Sequence, residues 1–231
     1  MPSYHGILFD LDHTLWDFET NSSDTLRTLY ATYDLGKKTT LTPEEFCQTF
    51  SRVNTALWDQ YDRGEIQRDV LRTQRFHRVL QAAGIDDYAL SVSFSADYLR
   101  DSPRKGNLMP GSLEILEYLS PKYPLYIITN GFDEVQEIKM RSSGIHEYFK
   151  KVFSSERIGH KKPSREIFDH ALTEIGFNAR QTMMVGDNLT TDIGGARNAS
   201  MDHIFYNPLK IPHGENVMWE IHHLSEIKNI L

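Results

Sequence analysis

Cysteine is nearly missing from this chain of 231 residues: Cys47 stands alone, which excludes an internal disulfide and any zinc site built from several cysteines. Long apolar runs are missing too. The longest, such as Ile7–Phe9 and Tyr126–Ile128, fall far short of the roughly 20 residues a membrane span needs. Positive charge is in deficit, with 25 Lys+Arg against 32 Asp+Glu and a formal net charge of −7. The chain therefore lacks the basic excess that binding polymeric nucleic acid usually requires. Met1–Asp12 reaches two aspartates almost at once, unlike a signal peptide. There is no internal repeat and no low-complexity tract. Hydrophobic residues at 39% and charged residues at 25% allow a sizeable core. The expectation is a soluble, cytoplasmic protein of mixed secondary structure.

Two textures alternate along the chain. Short apolar runs ending in Asp, Thr-Asn-Gly or Gly-Asp read as buried strands: Tyr4–Asp10, Pro124–Thr129, Lys151–Ser155, Met183–Asp187 and His203–Tyr206. Helical patterns fill the gaps at Gly111–Leu119, Asp133–Ser143, Ser164–Ile175 and Thr191–Ala199. This alternation predicts repeated βαβ units and a parallel sheet. From Asp17 to Lys105 the rhythm breaks into helical patterns without a clear strand. Thr42-Pro43-Glu44-Glu45 is a capping box with proline in the first turn, leading into Phe46, Phe50, Val53, Leu57 and Tyr61 and stopping near Gly64. Further patterns span Val70–Ala83 and Asp86–Leu99. The expected organisation is a core of residues 1–16 and 106–231 interrupted by a helical insertion, 17–105.

Chemistry concentrates where the strands end. Asp10 closes the first strand and Asp12 follows two residues later. Alone, the pair could be a helix cap and a solvated turn. An open α/β sheet assembles its site at strand ends, however, and partners stand there: Thr129-Asn130-Gly131, Lys162-Pro163, and Gly186-Asp187 with Asp192. Together they suit phosphoryl transfer. Asp10 can attack phosphorus, and Asp12 can protonate the leaving oxygen and then activate water. Several carboxylates beside a phosphate call for a cation, and Mg²⁺ suits oxygen ligands. Lys162 adds fixed positive charge, while Thr129, Asn130 and nearby backbone N–H groups can hold phosphate oxygens.

These segments resemble, in order, the four motifs of the haloacid dehalogenase superfamily of phosphohydrolases: Asp10-Leu11-Asp12-His13-Thr14, Thr129, Lys162, and Gly186-Asp187 through Asp192. The resemblance implies a Rossmann-like α/β parallel-sheet core with helices on both faces and an inserted all-helical cap. It also implies Mg²⁺ held by the Asp10 carboxylate, the Asp12 backbone carbonyl and Asp187, with Asp192 acting through water or by orienting its neighbours. Lys162 is chosen over Lys161 because the family lysine directly precedes proline. Ile128–Phe132, Val53–Trp58 and Gly64-Glu65-Ile66 further resemble the pyrimidine 5′-nucleotidase branch. The expected substrate is a small phosphorylated metabolite, a nucleoside 5′-monophosphate with pyrimidines ahead of purines, with Asn54, Trp58 and Tyr61 as cap residues that discriminate among leaving groups. Ser200 departs from the glycine that relatives often carry after Asn198-Ala199.

Other conspicuous residues take plainer readings. Cys47 is a packing residue, His13 is incidental or faces the cap, Trp16 and Phe18 pack at a hinge, and His222-His223 is solvated surface. Rival functions are a sugar-phosphate phosphatase or phosphomutase with the same chemistry, and a phospho-accepting signalling domain. Receiver domains set their acceptor in mid-sheet after an acidic pair and carry no large helical insertion. Dehalogenases of the superfamily lack the second aspartate, so Asp12 argues against that activity.

Overall fold

In the computed structural model, which describes residues 4–231, the first apolar run becomes strand β1, Gly6–Phe9, buried at all four positions. Residues 1–3, where the expected core segment begins, lie outside the described residues. The remaining strands are β2 Leu125–Thr129, β3 Phe149–Ser154, β4 Thr182–Gly186, β5 Asp202–Tyr206 and β6 Trp219–Ile221. All pair in parallel, in the order β3-β2-β1-β4-β5-β6. The chain moves outward from β1 through β2 to β3, then crosses back to β4 on the other side of β1. That reversal leaves a crevice at the carboxyl ends of β1 and β4, where open α/β sheets bind ligands.

Alternation along each strand divides the core into two layers. Ile7, Phe9, Ile127, Met183, Val185 and Ile204 face one side, with helix α5 (Ser112–Leu119) packed on them through Ile115, Leu116 and Leu119. Leu8, Ile128 and Met184 face the other, against the helix Arg165–Ile175, which contributes Ile167, Phe168, Ala171 and Leu172. Both faces are covered, which is why these strands read as continuous apolar runs.

The chain divides into two compact units. One holds the chain up to Phe18 together with Gly106–Leu231, and contains the sheet. The other, Glu19–Lys105, is helical: most of α1 (Phe18–Thr32), then α2 (Pro43–Asp62), α3 (Arg68–Ala82) and α4 (Tyr88–Asp101). The expected capping box forms, with Thr42 Oγ1 accepting from the Glu45 backbone N–H and Glu45 accepting from that of Thr42 at 2.7 Å. The interior of this unit is aromatic: Phe50 stacks on Phe76, and Phe76 meets Phe94 and Tyr98 with ring centroids 5.0 and 4.9 Å away. Arg75 is buried among these rings, with no carboxylate against it among the described residues; its Nη1 donates to Asn54 Oδ1 at 3.2 Å. Cys47 is buried in the unit as well, and burial pushes its thiol up.

Among the described residues, no helix is long and apolar enough to cross a membrane. Two features differ from the sequence expectation. Thr191–Ala199 is not one helix: a π-helical turn, Leu189–Ile193, precedes a short α-helix, Gly194–Asn198. His222 is half-buried, whereas His223 is exposed as expected. His222 Nδ1 meets the Asn207 carbonyl at 2.8 Å, and the His223 ring caps the C-terminal 3-10 segment Leu224–Asn229.

Candidate active site

Strand β1 delivers Asp10 just past its last residue, with the Asp10 backbone N–H bonded to the Val185 carbonyl at 2.9 Å. The chain then turns sharply through His13, whose backbone lies in the left-handed region at φ 63, so that the His13 N–H reaches the Trp16 carbonyl. Trp16 is fully buried in the core beside β1, two residues before the segment's end at Phe18. This tight turn fixes the positions of Asp10 and Asp12 relative to each other.

Around Asp10 gathers an acidic group. One carboxylate oxygen from each of Asp10, Asp187 and Asp192 lies within 4.8 Å of the others. Asp187 follows β4 and accepts from Thr14 Oγ1 at 2.8 Å. Asp192 sits on the π-helical turn, whose opening is held by Asn188 Oδ1 accepting from the Thr190 and Thr191 N–H groups. The turn folds Asp192 back against Gly186, where any Cβ would overlap the Asp192 side chain; only glycine fits. Asp192 Oδ2 then accepts from the Asn188 N–H at 3.0 Å.

Lys162 is the cation inside this group. Its Nζ donates to Asp10 Oδ1 and Asp192 Oδ1, each at 2.6 Å, and to the Ile128 carbonyl at 2.9 Å, which uses all three of its protons. Burial works against the ammonium, but Asp10 and Asp192 outweigh it and hold it charged, far above the ordinary lysine range. Asn130 braces the lysine from the end of β2: its amide donates to the Lys162 carbonyl at 3.0 Å and accepts from the Lys162 N–H at 2.8 Å. The Asn130 side chain, expected at the phosphate, is thus engaged with backbone.

Three carboxylates face one ammonium here. Burial, reinforced by Asp192 and Asp187, pushes Asp10 well above the usual carboxylate range despite Lys162. Burial and Asp192 push Asp187 up to about 7, against the opposing hydrogen bond from Thr14. A set of hard oxygen donors with surplus negative charge and little room is what Mg²⁺ takes, so these residues fit the ion that the motifs imply.

Asp12 has the opposite surroundings. Its carboxylate faces helix α6 (Asp133–Ser142), where Lys139 Nζ meets Oδ1 at 2.6 Å and Gln136 Nε2 donates to Oδ2 at 2.9 Å. Burial pushes Asp12 up, but the Lys139 charge and these hydrogen bonds outweigh it and hold the carboxyl below its ordinary range. With the side chain so committed, any role for Asp12 at a cation falls to its backbone carbonyl. Thr129 lies beside it: Oγ1 accepts from Gln136 Nε2 at 2.8 Å and from the Gly131 N–H at 3.0 Å.

The structure therefore brings Asp10, Asp12, Thr129, Asn130, Lys162, Asp187 and Asp192 to one end of the sheet. Asn54, Trp58 and Tyr61 lie on α2 of the helical unit. Asn54 is buried against Arg75, and the Trp58 and Tyr61 rings meet edge to face at 5.6 Å. Sequence reading passed over Gln136, Lys139 and Asn188. The only available signal for the first pair was their three-residue spacing on the helix after Thr129-Asn130-Gly131.

Comparison with known proteins places this geometry. Residues 4–200 match the family of haloacid dehalogenase-like hydrolases. The chain is 32% identical to the HAD-hydrolase YfnB of Bacillus subtilis, over 100% of this chain and 97% of that one. A crystal structure of YfnB bound to magnesium superposes with a TM-score of 0.88 at 29% identity, covering 99% and 98% of the two chains. Pyrimidine 5′-nucleotidase PynA of Streptococcus pneumoniae is 33% identical over 89% of this chain and 84% of its own. Pyrimidine 5′-nucleotidase YjjG of Escherichia coli is 29% identical over 97% and 96%.

Proposed function

This chain belongs to the haloacid dehalogenase-like hydrolases, and from that membership we propose that it is a Mg²⁺-dependent phosphomonoesterase acting on nucleoside 5′-monophosphates, pyrimidines ahead of purines. The observation that carries the proposal is Asp10, fixed at the end of β1 by Lys162 within an acidic group, with Asp12 two residues on but held separately. The names of PynA and YjjG support the nucleotidase choice.

The chemistry divides between the two aspartates. An Asp10 oxygen attacks phosphorus while the ester P–O bond breaks, and the leaving alkoxide takes its proton from the Asp12 carboxyl. The approach of a phosphate dianion favours the protonated form of Asp12 that this step needs. A water then attacks the aspartyl-phosphate, giving its proton to Asp12; the Asp10 O–P bond breaks and inorganic phosphate leaves. Lys162 offsets charge on Asp10 throughout, and Thr129 binds a phosphate oxygen. Asn130 serves by holding the Lys162 backbone, a narrower role than direct phosphate binding. Asp10, Asp187 and the Asp12 backbone carbonyl would hold Mg²⁺, with Asp192 orienting the set, and the bound ion would supply the positive charge that lets a dianionic ester approach these carboxylates. The helical unit, through Asn54, Trp58 and Tyr61, discriminates among leaving groups.

A phosphate-release screen over nucleotides, sugar phosphates and phosphoamino acids tests the proposal, run with Mg²⁺ and again with excess chelator. Pyrimidine monophosphates should lead, and chelator should abolish release. A profile led by sugar phosphates, with pyrimidine monophosphates at background, would remove the nucleotidase assignment and keep the phosphatase one.

A further inference from the structure

Helix α6 carries two polar side chains that are hard to explain by stability. Gln136 is fully buried and Lys139 is 6% exposed. Lys139 extends across the Trp16 ring, its Nζ 4.5 Å from the ring centroid, to reach Asp12 Oδ1. Gln136 spends both amide protons locally, one on Asp12 Oδ2 and one on Thr129 Oγ1. Its own Oε1 is left buried with no hydrogen-bond partner among the described residues. An orphaned buried acceptor costs stability, because it gives up its hydrogen bonds to water and gains none in return. Reversing the amide would not relieve it, because Oε1 would then face the Asp12 carboxylate. Gly131 makes the approach possible: a Cβ there would overlap the Gln136 side chain.

The hydrogen-bond count on Thr129 adds a second consequence. A hydroxyl has two acceptor lone pairs and one proton. Both lone pairs of Thr129 Oγ1 are taken, by the N–H groups of Gly131 and Gln136. The Thr129 O–H is thereby restricted to donating, the polarity a phosphate oxygen requires.

We propose that Gln136 and Lys139 are positioning residues of this site: together they lock the Asp12 carboxylate in a pocket of its own, apart from the acidic group, and Gln136 also makes Thr129 an obligate donor. The assignment rests on the reading of Asp12 as acid and base, and it deepens that reading by adding residues that act through Asp12 and Thr129 without touching substrate.

The test compares two leaving groups on one preparation of each variant, with Mg²⁺ present. A nucleoside 5′-monophosphate releases an alkoxide that needs a proton, whereas p-nitrophenyl phosphate releases a stable aryloxide that does not. Since general acid catalysis contributes on the order of 10²–10⁴-fold, Lys139→Met should lower kcat for the alkyl ester at least about tenfold more than for the aryl ester. Lys139→Arg should restore most of the ratio. Lost folded protein cancels in this ratio, and Lys139→Gln serves if the methionine variant does not fold. Placed on Asp12→Asn, the Lys139 change should add nothing further to the ratio, as expected for two residues acting as one unit. Gln136→Leu should in addition raise KM for both esters, because Thr129 loses its orientation. Equal losses on both esters, or full additivity with Asp12→Asn, would overturn the proposal while leaving the phosphatase reading intact. A wild-type enzyme inactive on both esters would overturn that reading and this inference with it.

Discussion

Asp10 and Asp12 stand two residues apart on one turn, yet they belong to different electrostatic regions. On the side of β4, Asp10 shares a buried space with Asp187 and Asp192 and a single ammonium, Lys162, and the Asp10 and Asp187 carboxyls are driven up. On the side of α6, Asp12 meets the Lys139 ammonium and one N–H of the Gln136 amide and is driven down. Separating environments in this way lets one chain segment provide two carboxylates with unlike tasks. The first region is short of positive charge, with Lys162 set against three carboxylates. The second is complete in itself.

The sharpest way to break this contrast is to neutralise one carboxylate at a time. Asp10→Asn should reduce turnover by on the order of 10⁴-fold or more, since it removes the proposed nucleophile. The protein must be checked for deamidation back to aspartate, and near-wild-type activity in a verified sample would end the mechanism. Next in size is the cation. Asp187→Asn should weaken Mg²⁺ activation more than Asp192→Asn, because both Asp192 oxygens are already engaged by Lys162 and the Asn188 N–H. Metal titrations of the two variants give the order directly.

A pH series distinguishes the regions without mutation. A carboxyl whose folded-state pKa is raised contributes stability that is present below its unfolded value and is lost as pH rises through the folded value. For Asp187 that window runs from about 4 to about 7. Thermal unfolding of metal-free protein should therefore show this contribution fading from pH 4 to 7. Stabilisation by added Mg²⁺ should grow over the same interval, as the carboxylates become available to it. An Mg²⁺ effect that is flat across the interval would mean that the acidic group does not bind the ion.

Smaller effects are expected in the helical unit. Substitutions at Trp58 or Tyr61 should change the order of nucleotide substrates by roughly one to two powers of ten in kcat/KM, with a small generic phosphoester less affected. Asn54→Ala carries an additional cost of about 1–3 kcal/mol, because it removes the side-chain oxygen that accepts from buried Arg75; thermal unfolding separates this from specificity. The smallest effect belongs to Ser200, at φ 57, where glycine relieves left-handed strain but loses more chain entropy on folding. Ser200→Gly should stabilise by about 0.5 kcal/mol, measurable by denaturant titration.

How much of this was legible beforehand followed burial. The central strands β1, β2 and β4 are covered on both faces and read as apolar runs. Strand β6 was passed over because Trp219-Glu220-Ile221 is three residues long at the sheet edge and only Ile221 is buried. Helix α1 was hidden for a related reason: half of the face it buries is Asn21, Ser22 and Thr25, so no apolar stripe marks it. At the site, aspartates at strand ends are conspicuous because charge there needs a reason. Gln136 and Lys139 are ordinary residues for a helix surface, and only the fold turns that surface inward, under Gly131 and across Trp16. The π-helical turn was equally invisible, since the opening depends on where Asn188 and Asp192 find their partners.

The central claim is that phosphorus becomes bonded to Asp10 while Asp12 handles protons. Its most direct test is a rapid acid quench of the enzyme mixed with phosphate-labelled nucleoside 5′-monophosphate and Mg²⁺, followed by peptide mapping. The account predicts transient label on Asp10, with a phosphoenzyme that outlives the wild-type one in Asp12→Asn because water is no longer activated. Turnover of the ester with no label on Asp10 at any time, in either protein, would contradict it.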